Sequence, residues 1–184
     1  MEIDTERLEI TPLVKKDAAF IVELLNTEGW VKNIGDRNIR SKKDAREYIQ
    51  KVTNNPHITY WTVKLKHGRL PIGLVTMIKR DYLPFNDVGF AFLPQFFNKG
   101  YAFEATKSVL LALISHNAFE NILAISLKEN IASIKLIEKL GLTFEKTIEH
   151  ENNILDVYKA SKEKLILSLP KTEHEVKISC HKIT

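Results

Sequence analysis

The spacing of apolar positions changes several times along this chain of 184 residues, and each change marks a new element. Leu8, Ile10 and Leu13 are spaced as a strand and its exit, whereas 17–25 carries apolar residues at helical spacing behind an acidic first turn at Asp17. A polar stretch, 33–43, follows. Ser41 with Asp44 then opens a second helix through Ala45, Tyr48, Ile49 and Val52, closed by Asn54-Asn55-Pro56. Residues 58–66 and 72–79 alternate on either side of His67-Gly68, predicting an antiparallel hairpin, and Asn86-Asp87 introduces a third strand over 88–93. From Tyr101 to about 117, apolar residues occur almost all round, as in a helix buried against a sheet. A short strand over 122–128 places Leu123, Ile125 and Leu127 on one face. The next helix takes Asn130 as N-cap, Ile131, Ile134, Ile137 and Leu140 as one face, and Gly141 as its stop. Runs 144–148 and 154–159 bracket Glu151-Asn152-Asn153 as a final hairpin.

A strand, loop, helix and strand in that order, centred on residues 88–128, require a parallel pair with a right-handed crossover. The chain reads as one domain over 1–160, followed by a polar C-terminal extension, 161–184, with a helical start and a break at Pro170, loosely held. Apolar residues make up 44% and charged residues 27%, a balance that sustains a sizeable core. The acidic start Met1-Glu2-Ile3-Asp4-Thr5-Glu6 has no apolar stretch behind it, and the run 109–114 is too short to span a bilayer. A single cysteine, Cys180, excludes an intrachain disulfide. These features predict a cytoplasmic protein without a membrane partner. The net charge of +4 is spread among acidic residues, unlike a nucleic-acid arm, and suits a polyanionic small molecule better.

The place for such an anion is the junction Phe96-Phe97-Asn98-Lys99-Gly100-Tyr101-Ala102-Phe103-Glu104-Ala105. Gly100 accepts positive φ, Asn98 tolerates the left-handed region, and Ala102 keeps the helix start uncluttered. Several backbone N–H groups can then converge on one anion at a helix N-terminus. A turn that merely joins a strand to a helix has the same composition.

An N-K-G-Y-A loop opening one helix, and N-x-x-S about 30 residues later opening another that runs to K-L-G, form a distinctive pair. Together with Thr5-Glu6-Arg7-Leu8, Pro12-Leu13, Asp17-Ala18, Pro71-Ile72-Gly73 and Gly89-Phe90-Ala91-Phe92-Leu93-Pro94, they resemble the GNAT superfamily of acetyl-CoA-dependent N-acetyltransferases. More narrowly, they resemble its branch similar to ribosomal-protein N-terminal (alanine) acetyltransferases, over roughly Met1 to Lys159. The resemblance implies a mixed α/β (α+β) fold, with a mostly antiparallel central sheet of about six to seven strands flanked by helices. One parallel β-α-β crossover lies at the cofactor site. It also implies acetyl-CoA as co-substrate with no metal, its pyrophosphate held by the loop at Asn98, Lys99, Gly100, Tyr101, Ala102 and Phe103. The backbone of Phe92 and Leu93 would pair with the pantetheine amides, and Asn130 and Ser133 would reach the cofactor arm. Gly100 and Ala102 fit the family pattern Q/R-x-x-G-x-G/A, while Phe97 replaces its Gln or Arg.

The reaction implied is direct attack of a neutral amine on the thioester. An α-amine with a pKa near 8 is roughly one-tenth neutral at pH 7, whereas a lysine costs about 4 to 5 kcal/mol to deprotonate there. A protein N-terminus therefore demands less of a base; a small-molecule amine stays open, as does a module that binds acyl-CoA without chemistry. Ile137 stands where many relatives carry a tyrosine acid, so the resemblance passes the donor role to Ser133. It offers Glu149 as base, with His150 and Asp87 behind it. Tyr158 faces either the acetyl group or the core. Trp30 and Arg37 fall where the family builds its acceptor wall. A dinucleotide-binding Rossmann enzyme is disfavoured, because a hairpin precedes the loop and no βαβ unit ends in an acidic ribose contact.

Overall fold

The protein is described by a computed structural model covering residues 1–169 and 177–179. Strands β1 (Glu2–Asp4) and β2 (Leu8–Pro12) precede helices α1 (Ala18–Leu25), α2 (Glu28–Ile34) and α3 (Lys42–Thr53). A meander of β3 (Ile58–Leu65), β4 (Pro71–Ile78) and β5 (Asp87–Phe92) leads into α4 (Tyr101–Ser115), β6 (Asn121–Leu127) and α5 (Ile131–Lys139). The hairpin of β7 (Thr143–His150) and β8 (Asn153–Ser161) follows, then α6 (Lys162–Ser168) and β9 (Lys177–Ser179). All nine strands among the described residues lie in one sheet, in the order β7-β8-β6-β5-β4-β3-β2-β1-β9. Only β5 and β6 run parallel, as the β5-α4-β6 crossover requires.

The sheet is wider than the six to seven strands expected, because two three-residue strands, β1 and the edge strand β9, extend it beyond β2. Such strands are too short to show alternation; β1 buries Ile3 alone. Helix α2 also has no periodic signal. Trp30 is its one buried side chain, and its start rests on the Thr27 hydroxyl, which accepts from the Trp30 N–H. Pro170 lies outside the described residues, while Leu165 and Leu169 are buried in the main core.

Each face of the sheet carries its own apolar cluster. On one face Leu8, Ile10, Val63, Val75, Phe92, Ile122 and Tyr158 pack with Ala105, Val109 and Leu110 of α4 and Ile137 of α5. On the other, Leu74 and Leu93 pack with Phe20, Ile21 and Leu24 of α1, Trp30 of α2 and Ile49 of α3. A smaller cluster of Leu83, Leu123 and Val157 continues this second face beyond β5. The start of α1 is pinned to the second face by buried polar groups. Asp17 accepts from the Thr62 hydroxyl at 2.9 Å and lies 3.7 Å from the Lys64 ammonium, which also donates to Thr11.

Candidate active site

Strands β5 and β6 meet at a single register position, Asp87 opposite Leu123, with the Leu123 N–H donating to the Asn86 carbonyl. Beyond that point β5 pairs only with β4, and β6 only with β8. The ladder alternation then decides which groups face the gap. The Leu93 N–H donates to Ile72 and its carbonyl accepts from Phe96, so Leu93 turns its backbone inward. Phe90 and Phe92, one position out of phase, present theirs to the gap. The expectation that Phe92 and Leu93 both offer backbone to a ligand therefore shifts by one step, to Phe90 and Phe92. The side chains of Phe92 and Leu93 are buried on opposite faces.

This open edge runs into the anion loop. Asn98 has φ of 59° and Gly100 φ of 79° with ψ of −2°, both left-handed. Gly100 is the N-cap of α4, and no side chain among the described residues caps this end. The first helical hydrogen bond runs from Glu104 N–H to Gly100 carbonyl, so the N–H groups of Tyr101, Ala102 and Phe103 stand ahead of it. The exposed Lys99 ammonium lies 5.4 Å from the Phe96 ring, and Lys139 of α5 lies 4.4 Å over the Phe103 ring. Phe97 is exposed.

Helix α5 opens at Asn130, whose side-chain oxygen accepts from the Ser133 N–H at 3.2 Å. Ser133 is half-buried, one turn before the buried Ile137 and on the same side of the helix. Its hydroxyl has no hydrogen-bond partner among the described residues. Tyr158 is buried in the α4/α5 face, edge-on to Phe144 at 5.9 Å. Burial, then the charges of Asp156 and Glu138, push its phenol upward.

On the opposite face a cavity of about 660 Å³ opens between the start of β3, the loop after β4 and the tip of the β7–β8 hairpin. His57, Tyr82 and His150 line it, with Asp81 and Glu151 at its edge, and the Tyr82 and His150 rings stack at 3.6 Å. Glu149 pairs with Ile154 next to His150 and so points to the other face, exposed. Asp87 is buried and held by Arg80 Nε at 2.7 Å. Its burial raises the carboxyl pKa against the pull of that guanidinium.

Trp30 is a core side chain beneath this face, and its ring N–H is buried without a partner among the described residues. Arg37 is exposed, close enough for its charge to act on Tyr48. The Tyr48 and Tyr60 hydroxyls lie 3.5 Å apart, and burial followed by the Tyr60 contact pushes the Tyr48 phenol far above its ordinary range. Among the described residues no group of three or more His, Cys, Asp or Glu is placed to hold a metal, and no helix is long and apolar enough to cross a membrane.

A family model described as an acetyltransferase (GNAT) domain matches residues 7–143. The chain belongs to the GNAT family. An uncharacterized N-acetyltransferase, YnaD, of Bacillus subtilis is 27% identical over 162 residues, 86% of this chain and 94% of that protein. The crystal structure of a GNAT acetyltransferase from Bacillus anthracis superposes with a TM-score of 0.75 at 26% identity, covering 89% of this chain and 99% of the other. A ribosomal L7/L12 alpha-N-protein acetyltransferase in complex with coenzyme A shares the fold, with a TM-score of 0.76 at 11% identity over 88% of this chain and 98% of the other.

GNAT enzymes use acetyl-CoA, and the residues present suit it. Free N–H groups at α4 match a diphosphate, and the unpaired edge at Phe90 and Phe92 matches an amide-bearing arm. The sequence offers His150 only as a reserve base and Phe90 only within a motif; it marks neither the open backbone at Phe90 nor the cavity. The first depends on ladder phase, and the second is assembled from loops with no period.

Proposed function

We propose that the protein transfers the acetyl group of acetyl-CoA to a primary amine in a ternary complex, and that the acceptor is a protein N-terminus. The observation that carries this reading is the unpaired β5 edge running directly into the uncapped start of α4. An anion at Tyr101, Ala102 and Phe103, with Lys99 beside it, and an arm along Phe90 and Phe92 would bring a thioester into the split between β5 and β6. Acetyl-CoA supplies the activated acyl group. The chain's residues align it, exclude water and manage protons.

Asn130 and Ser133 border this arm from α5. Ser133 is assigned as donor to the departing sulfur, because it is half-buried in the first turn of α5 and its hydroxyl has no hydrogen-bond partner among the described residues. The acceptor enters from the opposite face, through the cavity at Tyr82 and His150, with Arg37 and the wall above Trp30 beyond it. Strand phase then separates the candidate bases. Glu149, first in line from the sequence, points away from the cavity, and Asp87 is occupied by Arg80, so proton removal is assigned to His150. An α-amine asks least of such a base, and the coenzyme A-bound structural neighbour is itself an alpha-N-protein acetyltransferase.

Thermal denaturation with acetyl-CoA, CoA and ATP side by side tests the cofactor. At 100 times its dissociation constant, CoA should add about 2.7 kcal/mol of stability. Stabilisation by ATP alone overturns the reading. Thiol release with a panel of peptides and polyamines tests the acceptor; faster turnover of polyamines than of any peptide replaces the N-terminus with a small amine. With the acceptor known, His150→Gln should lower kcat by about 10²-fold and Glu149→Gln by less than about threefold. The reverse order returns the base to Glu149.

A further inference from the structure

Glu104 stands in the first turn of α4, beside the N–H groups assigned to the diphosphate. An unpaired carboxylate there stabilises the helix but opposes a second anion at the same end. This carboxylate is not unpaired. Arg7, on the turn between β1 and β2, donates from Nε to Glu104 Oε2 at 2.7 Å and brings Nη2 within 2.6 Å of the same oxygen. The Arg7 N–H and the Thr5 hydroxyl both donate to Glu104 Oε1, at 3.1 and 2.5 Å. The Thr5 hydroxyl also accepts from the Leu8 N–H, and the Arg7 carbonyl accepts from Lys66, so the turn is anchored to β3 as well.

The guanidinium does more than neutralise. Its Nη1 donates to the Lys99 carbonyl at 3.0 Å, its plane lies 4.5 Å from the Tyr101 ring centre, and Nη2 lies 3.4 Å from where a Cβ on Gly100 would be. One side chain therefore touches the residue before the left-handed glycine, borders the glycine itself, and contacts the first and fourth residues of the helix. Arg7 remains 43% exposed, so its free edge faces the solvent from which an anion arrives.

We propose that Arg7 is the positioning residue of the diphosphate site: it cancels the charge of Glu104 and fixes the Lys99–Tyr101 turn, so that the start of α4 accepts a diphosphate. This rests on acetyl-CoA binding as assigned above. The Thr5-Glu6-Arg7-Leu8 segment, distant in sequence, thereby becomes part of cofactor recognition.

The test is calorimetric affinity for CoA, and for pantetheine, which lacks the diphosphate, in wild type, Arg7→Ala, Glu104→Gln and the double variant. Arg7→Ala should weaken CoA about tenfold, since it uncovers a full negative charge beside the site. The double variant should return to within about threefold of wild type, because the charge that Arg7 cancels is gone. Pantetheine should bind all four proteins alike. Unchanged CoA affinity in Arg7→Ala overturns the proposal. So does equal loss for CoA and pantetheine, or a double variant no better than Arg7→Ala, either of which makes Arg7 a structural tie only. Failure of the wild type to bind CoA is a different result, which overturns the acetyl-CoA reading itself.

Discussion

Gly73 lies opposite Phe92 in the β4–β5 ladder, and a Cβ added there would overlap the phenylalanine ring. Gly89, on the other face, would bring a Cβ within 2.6 Å of the Thr76 hydroxyl oxygen. The two glycines are not equivalent. The Phe92 ring is buried in the main core and can escape only by moving neighbours, whereas Thr76 can turn about one bond. Gly73→Ala should therefore cost about 1 to 3 kcal/mol, read as a lower denaturant midpoint, and Gly89→Ala clearly less. Because Phe92 also carries part of the open backbone edge, Gly73→Ala should diminish the thermal shift produced by CoA. A full CoA response in a destabilised Gly73→Ala protein would separate the ring from the edge.

Helices α1 and α3 each depend on an aspartate, in different ways. Asp17 lies in a nearly dry site with Lys64, so Asp17→Ala strands an ammonium as well as the Thr62 hydroxyl. Breaking a buried pair in this manner costs roughly 3 to 5 kcal/mol, measurable by denaturant unfolding; Asp17→Asn, which keeps the hydroxyl contact, should cost less. Asp44 is exposed and closes a reciprocal cap with Ser41 at the start of α3. The Arg40 N–H, and then Ser41, hold its carboxyl below the ordinary value of 3.8. A lowered folded value favours the ionised form in the folded chain. The contribution is thus present above the unfolded value and lost as acid protonates the folded carboxyl. Protection of the first-turn amides of α3, taken as the intrinsic exchange rate relative to the observed rate at the same pH, should fall as pH drops below about 4, and Asp44→Asn should abolish that loss of protection. Ser41 and Asp44 were legible because a cap is written within four residues, and α4 and α5 because their periods are long. Helix α2 was not, since its hold on the core is Trp30 alone. The phase of Leu93 was not legible for a related reason: strand phase depends on which neighbour takes each N–H, and that is settled by Ile72, twenty-one residues away.

At the scale of the molecule, one sheet behaves as two. Six strands, from β5 to β9, share the packing of α1, α3 and α4, while β6, β8 and β7 lie with α5 on the far side of a junction one register position wide. The loop after β4 ties the halves on one face, where Leu83, Leu123 and Val157 pack together and Arg80 holds Asp87. On the other face Phe92 and Ile122 share the main core, but no ladder pairing among the described strands joins Phe90 or Phe92 to β6. A ligand that lies along this edge supplies the missing ladder partner, and its binding is then linked to closure of the sheet. Without ligand, the amides of Phe90 and Phe92 should exchange with solvent faster than those of Leu74 or Val75 on the neighbouring strand, whose ladders are complete on both sides. Saturating CoA should slow both amides together, and pantetheine should do the same at a higher concentration. Slow exchange in the free protein would mean that the two halves already close on each other. Slowing of Tyr101 and Ala102 alone would mean that the arm leaves the loop in another direction, and that the thioester does not lie between β5 and β6.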